Sequence, residues 1–242
     1  MNFPAQVPTP SVRRLSLYLR QLEVLEGDSV VTVSSRKFAQ SLGITDAQVR
    51  KDLAYFGQFG QPGVGYEVMP LIHRLRNIFG TDHLSLILLV GVGNLGKAAT
   101  AYQAFRTKGF ELVAVFDNDP EMIGRRFAHL SVLPMADLPQ AASEYDAHLA
   151  IIAVPAAVAQ NVADRLIAAG VRGILNFAPT RLNMPPGVTV RNIDVTAELE
   201  QLNFQTNMGL PWSARGFTPP ESSDLVTKTT ECIPQEAVVQ VI

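Results

Sequence analysis

The 242-residue chain holds a single cysteine, Cys232, which excludes an internal disulfide framework and a zinc site built from cysteines. Its longest apolar run lies near residues 84–92, far short of the roughly 20 residues that cross a membrane. The first six residues show neither a basic start nor an apolar signal core. These absences, and the lack of a metal-ligand cluster, predict a cytoplasmic protein with no membrane segment and no metal.

The net charge of −2 conceals an uneven distribution along the chain. Residues 1–80 carry nine Lys and Arg against six Asp and Glu, whereas residues 81–242 carry eleven against sixteen. A mildly basic N-terminal part on an acidic body is compatible with nucleic-acid binding. With 47% hydrophobic and 17% charged residues, the composition is that of a globular protein, and the length allows two modest domains.

The most informative segment runs from an apolar strand, residues 84–90, into the pattern G-x-G-x-x-G and then into a helix. This order is typical of the dinucleotide-binding βαβ unit. In such a unit Gly91 permits the tight turn, Gly93 lets the backbone approach a pyrophosphate, and Gly96 lets the helix pack closely on the strand. The N–H groups and the helix dipole favour the phosphate charge. The predicted contacts are Gly91, Val92, Gly93, Asn94, Leu95 and Gly96.

A second apolar run, residues 112–116, ends on Asp117, about 20 residues past the last glycine. A carboxylate there accepts hydrogen bonds from a ribose and repels a 2′-phosphate, so it favours NAD over NADP. Further strands, which end near Pro155 and Asn176, predict a doubly wound parallel sheet with its ligand beyond the strand ends. Two alternatives stay open: the glycine turn is only structural, or it serves a nucleotide or CoA module in which Asp117 is incidental.

Residues 1–80 show the helix spacing of a helix-turn-helix domain. A first helix starts at residues 9–11. Ser34 or Ser35 is expected to cap a second helix over residues 36–42. The apolar positions at helical spacing in the first helix are Val12, Leu15, Leu19, Leu22 and Leu25.

A capping box opens the predicted third helix, residues 46–56, with Thr45 covering the Gln48 amide and Gln48 reaching back. One face of this helix, Val49, Leu53 and Phe56, is expected in the core. On the other face Gln48 suits an adenine edge, and basic side chains suit phosphates or guanine. The alternative is a solvated face. The predicted DNA contacts are Gln48, Arg50, Lys51 and Tyr55, and a glycine-rich hairpin at residues 57–68 follows as a wing.

An enzyme that uses NAD needs a group that moves a proton beside the hydride, and the candidates here are poor. No acid–base constellation stands out, so the sequence predicts a protein that binds NAD without turning it over. The alternative, an NAD-dependent oxidoreductase with a fused helical domain, predicts steady consumption of NADH. The groups considered are His83, His129, His148, Tyr102, Arg106 and Asp194.

Several motifs occur in order along residues 11–210. They are Ser35, the run from Gln48 to Gly57, Gly63-Val64-Gly65-Tyr66, the glycine pattern at residues 91–96, and Asn176-Phe177-Ala178-Pro179. Together they resemble the Rex family of redox-sensing transcriptional repressors. The resemblance implies an α/β protein with a winged-helix domain at residues 1–80 and a Rossmann domain with a doubly wound parallel sheet at residues 81–194. It also implies a helix at 195–210 exchanged between subunits. The tail at 211–242 lies beyond the resemblance, and its richness in Pro, Ser and Thr predicts a flexible segment.

The same resemblance implies a homodimer that binds double-stranded, pseudo-palindromic operator DNA and releases it when NADH replaces NAD⁺. It adds four residues to the predicted DNA contacts: Ser35, Gly63, Gly65 and Tyr66. The predicted cofactor site includes, besides the glycine pattern and Asp117, the residues Tyr102, Pro155 and Asn176.

By motif register, Arg20, Tyr102 and Asp194 resemble the family's ligand switch, which is hypothesised to be a charge-assisted network that reports cofactor state to the DNA-binding domain. The simpler alternative is that Arg20 and Tyr102 form a surface pair. The chain departs from the resemblance at Pro62, where related wings often carry a basic residue suited to the minor groove. No function is predicted for the tail or for Cys232.

Overall fold

The structure, a computed structural model, describes residues 7–61 and 63–209. The described residues divide into two compact units, one that ends at residue 192 and one that begins at residue 193. The expectations for Pro62, for Cys232 and for the tail at 211–242 fall outside the described residues. Within the described ranges, no helix combines the length and apolar character needed to cross a membrane.

Helices and a small antiparallel sheet build the described residues up to Phe79. The elements are α1 (Thr9–Gly27), β1 (Thr32–Val33), α2 (Ser35–Ser41), α3 (Asp46–Ala54), β2 (Gly60–Gln61), β3 (Gly65–Glu67) and α4 (Val68–Phe79). The strand order is β1-β3-β2, and β2 pairs antiparallel with β3. The predicted helix-turn-helix followed by a hairpin is therefore confirmed, although α2 and α3 are each displaced or shortened at their ends relative to the prediction.

Side-chain caps begin both helices of the helix-turn-helix. Ser34 Oγ accepts a hydrogen bond from the N–H of Lys37, and Thr45 Oγ1 accepts one from the N–H of Gln48, each at 3.2 Å. The second half of the predicted capping box is wrong, because the Gln48 side chain donates to Asp52 Oδ1 at 2.9 Å instead of reaching back. An ionised carboxylate one turn along the helix is a stronger partner for the amide than the first-turn backbone.

The core of this region gathers on a face of α1 that the apolar spacing located only in part. Leu15 and Leu22 are buried as predicted, but Val12 is 37% exposed, and Tyr18 takes a place in the core. The ring of Tyr18 packs edge-on against Phe38 of α2, with 5.6 Å between the ring centroids. Burying a tyrosine ring removes more apolar area from water than burying a valine. The face of α1 that contains Tyr18 is therefore the one that packs into the core.

A seven-stranded sheet dominates the described residues from 81 to 192. The elements are β4 (Ser85–Val90), α5 (Asn94–Thr100), α6 (Ala104–Thr107), β5 (Phe110–Asp117), β6 (Arg126–Phe127), β7 (Leu130–Pro134), a 3₁₀ turn (Met135–Asp137), α7 (Leu138–Glu144), β8 (Leu149–Ile152), α8 (Ala156–Ala168), β9 (Gly173–Asn176) and β10 (Thr189–Asn192). The order is β10-β9-β8-β4-β5-β7-β6, and only β6 runs antiparallel to its neighbour.

The sheet is covered on both faces, as its sequence pattern predicted. In β4, Leu88 and Val90 belong to the core that contains α7 and α8, whereas Ile87 and Leu89 belong to the core on the opposite face, beside α5 and α6. This confirms a doubly wound parallel sheet. The short β6–β7 hairpin was not predicted, because such brief strands at a sheet edge carry little periodicity.

The chain order of the strands creates a crevice at one edge of this sheet. From β4 the chain crosses to β5 on one side, and later it returns to β8 on the other side of β4. The loops that follow β4 and β8 therefore diverge at their carboxyl ends, which is the topological switch point where ligands bind in open α/β sheets.

The second unit is described through its helix, α9 (Val195–Gly209). Asp194 caps it, because its Oδ1 accepts a hydrogen bond from the N–H of Ala197 at 3.0 Å. More than half of the side chain of Leu199, Leu202 and Phe204 is exposed. The predicted helix is confirmed, whereas its exchange between subunits stays a prediction.

Candidate functional site

The glycine loop joins β4 to α5 at the switch point. Gly91 has φ of 97°, and a Cβ at this position would lie 2.8 Å from Val154 Cγ1. A Cβ on Gly96 would lie 2.9 Å from the carbonyl carbon of Gly91 and closer still to its oxygen. By contrast, a Cβ on Gly93 would meet no protein atom within 4 Å. Two of the glycines are therefore needed by the fold itself, and the third faces open space at the start of α5.

Asp117 fastens the carboxyl end of β5 to the glycine loop. Its Oδ2 accepts a hydrogen bond from the N–H of Val92 at 2.8 Å, and its Oδ1 accepts from the N–H groups of Asn118 and Asp119. The carboxylate is only half-buried, so lone pairs remain for a further donor. The structure thus brings the acid and the loop together, as the spacing predicted. Asn94 and Leu95 are exposed in the first turn of α5.

Pro155 follows β8, the neighbour of β4, and Asn176 ends β9, the next strand beyond β8. Pro155 is exposed at the start of α8. Asn176 is fully buried, and its Nδ2 lies within hydrogen-bond distance of the carbonyl oxygens of Ala178 and Thr180 and of Asn192 Oδ1. Its Oδ1 accepts the N–H of Ala178. This amide therefore holds the following loop in shape, and the proximity of Asn176 to a cofactor stays a prediction.

The residues of the predicted switch network are described separately in the two units. Tyr102 is 58% exposed just beyond α5, and its ring packs edge-on against Phe105 at 5.0 Å. Arg20 is exposed and lines a cleft of about 520 Å³ together with Arg106 and Lys108. No hydrogen bond or ion pair between Arg20 and Tyr102 is found in the described ranges, and Asp194 belongs to the second unit. Their cooperation stays a prediction.

The predicted DNA contacts on α3 differ in their exposure and in their hydrogen bonds. Lys51 is exposed, and Tyr55 is half-buried. Arg50 Nη1 donates to Asp46 Oδ2 at 2.8 Å and to Ser35 Oγ at 3.2 Å, which ties α3 to the start of α2. The guanidinium side chain remains 54% exposed, so it is positioned near the surface and still accessible.

The wing is built on glycine and on one buried ring. Gly63 and Gly65 have φ of 79° and 104°, and a Cβ on Gly65 would lie 2.8 Å from the Cα of Ser34. Tyr66 is only 6% exposed and packs edge-on against Phe38 at 6.5 Å. Burial raises the pKa of its hydroxyl, and the ring anchors the wing to the core. A contact between Tyr66 and DNA stays a prediction.

A buried carboxylate, Asp52, lies beneath α3 and was not singled out from the sequence. Arg14 of α1 binds it through two hydrogen bonds of 2.6 and 2.8 Å, and the hydroxyl of Tyr18 donates to it at 2.7 Å. Burial opposes ionisation of Asp52, but these donors outweigh it and hold its pKa below the usual range. The signal was present, because position 52 lies on the same helix face as Val49, Leu53 and Phe56.

A second ionic group joins the winged helix to the sheet-bearing region. Glu23 of α1 accepts hydrogen bonds from Arg76 of α4 at 3.0 Å and from Lys108, which precedes β5. Its side chain is 15% exposed. Burial opposes its ionisation, yet the hydrogen bonds from Lys108 and Arg76 outweigh it and lower its pKa. The contact between these two parts of the first unit is therefore charged.

The three histidines of the sheet-bearing region lie away from the glycine loop. His83 precedes β4 and His148 precedes β8, so both lie at the amino ends of these parallel strands, opposite the carboxyl ends where the glycine loop lies. His129 lies between β6 and β7. In the described part of the chain, no three His, Cys, Asp or Glu side chains are grouped to hold a metal ion.

Comparison with known proteins agrees with this two-part organisation. Residues 82–180 match the family described as "CoA binding domain", and residues 6–54 match the family described as "Putative DNA-binding protein N-terminus". Redox-sensing transcriptional repressor Rex of Carboxydothermus hydrogenoformans is 50% identical over 82% of this chain and 96% of its own length. The same-named protein of Streptomyces coelicolor is 41% identical over 93% and 88%.

Solved structures extend the similarity to the whole fold. A crystal structure of RSP in complex with β-NAD⁺ and operator DNA matches with a TM-score of 0.81 and 31% identity, over 95% of this chain and 100% of that one. RSP in complex with β-NADH matches with a TM-score of 0.76 and 32% identity, over 85% and 96%. The chain is a member of the Rex family of redox-sensing transcriptional repressors.

Proposed function

We propose that this protein represses transcription by binding operator DNA as a homodimer, and that it releases the DNA when NADH occupies the glycine-loop crevice. One observation carries the proposal. A nucleotide crevice and a helix-turn-helix with a wing occur in one chain, which is similar along 95% of its length to RSP bound to β-NAD⁺ and operator DNA.

The glycine loop fits a dinucleotide. Gly93 opens toward solvent at the start of α5, so a phosphate can approach its backbone without meeting protein atoms. Asp117 remains partly exposed beside Val92 and is suited to ribose hydroxyls. NADH or NAD⁺ bound there supplies a nicotinamide whose redox state is the signal. We assign Val92, Gly93, Asn94 and Leu95 to phosphate contact, and Tyr102 and Pro155 to the rest of the cofactor.

The DNA-binding surface is assigned to α3 and the wing. We assign Gln48 to a base edge in the major groove, and Arg50 and Lys51 to phosphates. Tyr66 supports the wing from the core. The remaining contacts are assigned to Ser35, Tyr55, Gly63 and Gly65.

A homodimer is supported by the apolar residues of α9. Leu199, Leu202 and Phe204 leave a large apolar area exposed on one helix of the second unit, which is typical of a surface that pairs. Two-fold symmetry then predicts a pseudo-palindromic operator, with half-sites about one or more helical turns apart. We place the protein in the cytoplasm, without turnover of the cofactor.

The switch requires NADH to bind the DNA-incompetent arrangement more tightly than the competent one, and a coupling of about 1–3 kcal/mol is typical. Reduced nicotinamide is neutral, whereas the oxidised ring is cationic and costs more to bury. A crevice that closes and excludes water therefore discriminates between them. We assign the transmission of this change to Arg20, Tyr102 and Asp194.

Fluorescence anisotropy tests the proposal. A labelled palindromic duplex, selected from a random pool by the full-length protein, is titrated with protein and then with NADH or NAD⁺. We expect tight binding that NADH reverses and an equal concentration of NAD⁺ does not. Failure to select any duplex, with NADH still bound to the protein, would overturn the repressor function and favour an oxidoreductase, for which NADH consumption is then assayed with small carbonyl substrates.

The match of residues 82–180 to a CoA binding domain gives a second candidate, a CoA-binding regulator that uses the same glycine turn. The two candidates differ in competition. If the crevice binds a dinucleotide, excess CoA leaves bound NADH in place. Displacement of NADH by CoA at comparable concentration supports the second candidate, in which Asp117 has no ribose to bind.

A further inference from the structure

Asp52 is an unusual residue beneath a helix that contacts DNA, because its carboxylate is fully buried and ionised. It receives hydrogen bonds from two residues of α1, Arg14 and Tyr18, and from Gln48 one turn earlier in α3. Burying a charge is costly unless it is paired and hydrogen-bonded. Packing α1 against α3 through apolar residues alone would not need this arrangement.

The consequence concerns the orientation of the Gln48 side chain. An ionised carboxylate only accepts hydrogen bonds, so the amide must turn its NH₂ toward Asp52, as the 2.9 Å contact from Nε2 shows. One N–H of Gln48 is used in this way. Its second N–H and its Oε1 have no partner among the described residues. Gln48 therefore presents one donor and one acceptor, and Asp52 determines which atom is which.

This donor–acceptor pair matches one base. In the major groove adenine offers an acceptor, N7, beside a donor, the N6 amino group, whereas guanine offers two acceptors, N7 and O6. An amide held with one N–H and Oε1 available is complementary to adenine. The reversed amide, with both N–H groups available, is complementary to guanine.

We propose that Asp52, held in the core by Arg14 and Tyr18, is a positioning residue that fixes the amide of Gln48 and thereby sets the preference of α3 for an A·T pair. This inference rests on the proposed DNA-binding function and adds to it the origin of one base preference. Asp52 thus influences base recognition although it does not contact the DNA.

A purely structural role for Asp52 predicts a different result. If the cluster only held α1 against α3, its loss would lower the melting temperature and the affinity for every duplex alike. A positioning role changes the preference at one base pair in each half-site and leaves the preferences at the other positions unchanged.

The decisive variant is Asp52→Asn, which keeps the size of the side chain. The carbonyl of the new amide takes the place of Oδ2 and accepts from Arg14 Nε and Tyr18, and its NH₂ takes the place of Oδ1, where it faces Gln48 and also Arg14 Nη2, which loses its acceptor. Gln48 then turns its Oε1 inward and presents two donors outward. We expect the preference to move from A·T toward G·C at that position. For the wild type we expect an A·T preference between about 5-fold and about 150-fold, as is typical of a good bidentate contact.

The full-length protein is used to select duplexes from a random pool, and all single-base variants of the selected half-site are then measured by competition. Gln48→Ala should lose the A·T preference without gaining one for G·C. Gln40→Ala, an exposed residue of α2, is the matched control and should keep the wild-type profile. Because Asp52→Asn leaves Arg14 without its counter-ion, the double variant Arg14→Met with Asp52→Asn is measured as well.

The outcomes separate this inference from the proposed function. Selection of no duplex by the wild type would overturn the DNA-binding function itself. A selected duplex whose base profile is the same for wild type and for a folded Asp52→Asn or double variant would overturn the positioning role alone. A uniform loss of affinity at all positions would also overturn it. A profile that changes only at the Gln48-dependent position supports it.

Discussion

Replacing Gly93 by alanine separates ligand binding from folding in the glycine loop. Gly93 has φ of −66° and ψ of −168°, an extended conformation that alanine adopts freely, and an added Cβ would meet no protein atom within 4 Å. The folded protein therefore has no reason to resist the change. If a pyrophosphate approaches this backbone, however, the same Cβ occupies the space that the ligand needs.

The two effects differ in size. A surface substitution of this kind changes the free energy of unfolding by no more than about 0.5 kcal/mol, which shifts the melting temperature by roughly 1–2 °C in a unit of this size. Forcing one methyl group into a close contact costs about 1–3 kcal/mol. At about 1.4 kcal/mol for each tenfold change, NADH binding should weaken between about 5-fold and about 150-fold.

The assay is titration of NADH fluorescence on wild type and Gly93→Ala, with melting temperatures measured on the same preparations. Gly27→Ala is the matched control, because a Cβ there also meets nothing within 4 Å but lies at the end of α1. Unchanged NADH affinity in Gly93→Ala would show that no phosphate approaches this backbone and would favour a turn that is only structural.

Four further predictions follow from other parts of the molecule. Gly96→Ala should lower the melting temperature as well as NADH affinity, because its Cβ would press on the carbonyl group of Gly91, and an unaltered melting curve would contradict this. Asp194→Asn should leave NADH affinity near the wild-type value but abolish NADH-driven release of DNA in the anisotropy assay. The folded pKa values of Asp52 and Glu23 lie below their usual range, so the stability from these carboxylates is fully present above about pH 4 and is lost as pH falls through the folded values. The difference in urea midpoint between wild type and Asp52→Asn should therefore shrink from pH 6 to pH 3. Lys108→Met should lower the free energy of unfolding by less than about 1 kcal/mol, because the lysine side chain is 38% exposed. Salt screens the ion pair, so melting in 0.5 M salt should show roughly half of that loss.

Much of the fold follows from signals that are local in sequence. Ser34 and Thr45 begin their helices through contacts three residues away, so the helix-turn-helix is visible without any tertiary information. The glycine loop and Asp117 are linked by the fixed length of a βαβ unit, which explains why their register predicted their proximity. Where a strand or helix is short, as in the β6–β7 hairpin, periodicity has too few residues to act as a signal.

Predictions about individual side chains were less secure than predictions about elements. The burial of Tyr66 and of Asn176, both named as candidate contact residues, was not predicted from the sequence. Successive side chains of a hairpin strand point to opposite faces of the sheet. Which face is exposed to solvent depends on the element that packs against the hairpin. Asn176 is likewise held by the carbonyl groups of a loop whose path depends on the whole sheet edge.

The sequence by itself determined the order of the elements, the glycine loop with its acid, and the helix that carries Gln48, because each depends on neighbours within one or two elements. Only the tertiary structure decided what surrounds Asp52 and Glu23. Arg14 is 38 residues from Asp52, and Lys108 is 85 residues from Glu23. Whether a charged residue on a helix is solvated or buried with partners depends on what packs against that helix, and this packing is a property of the folded chain alone.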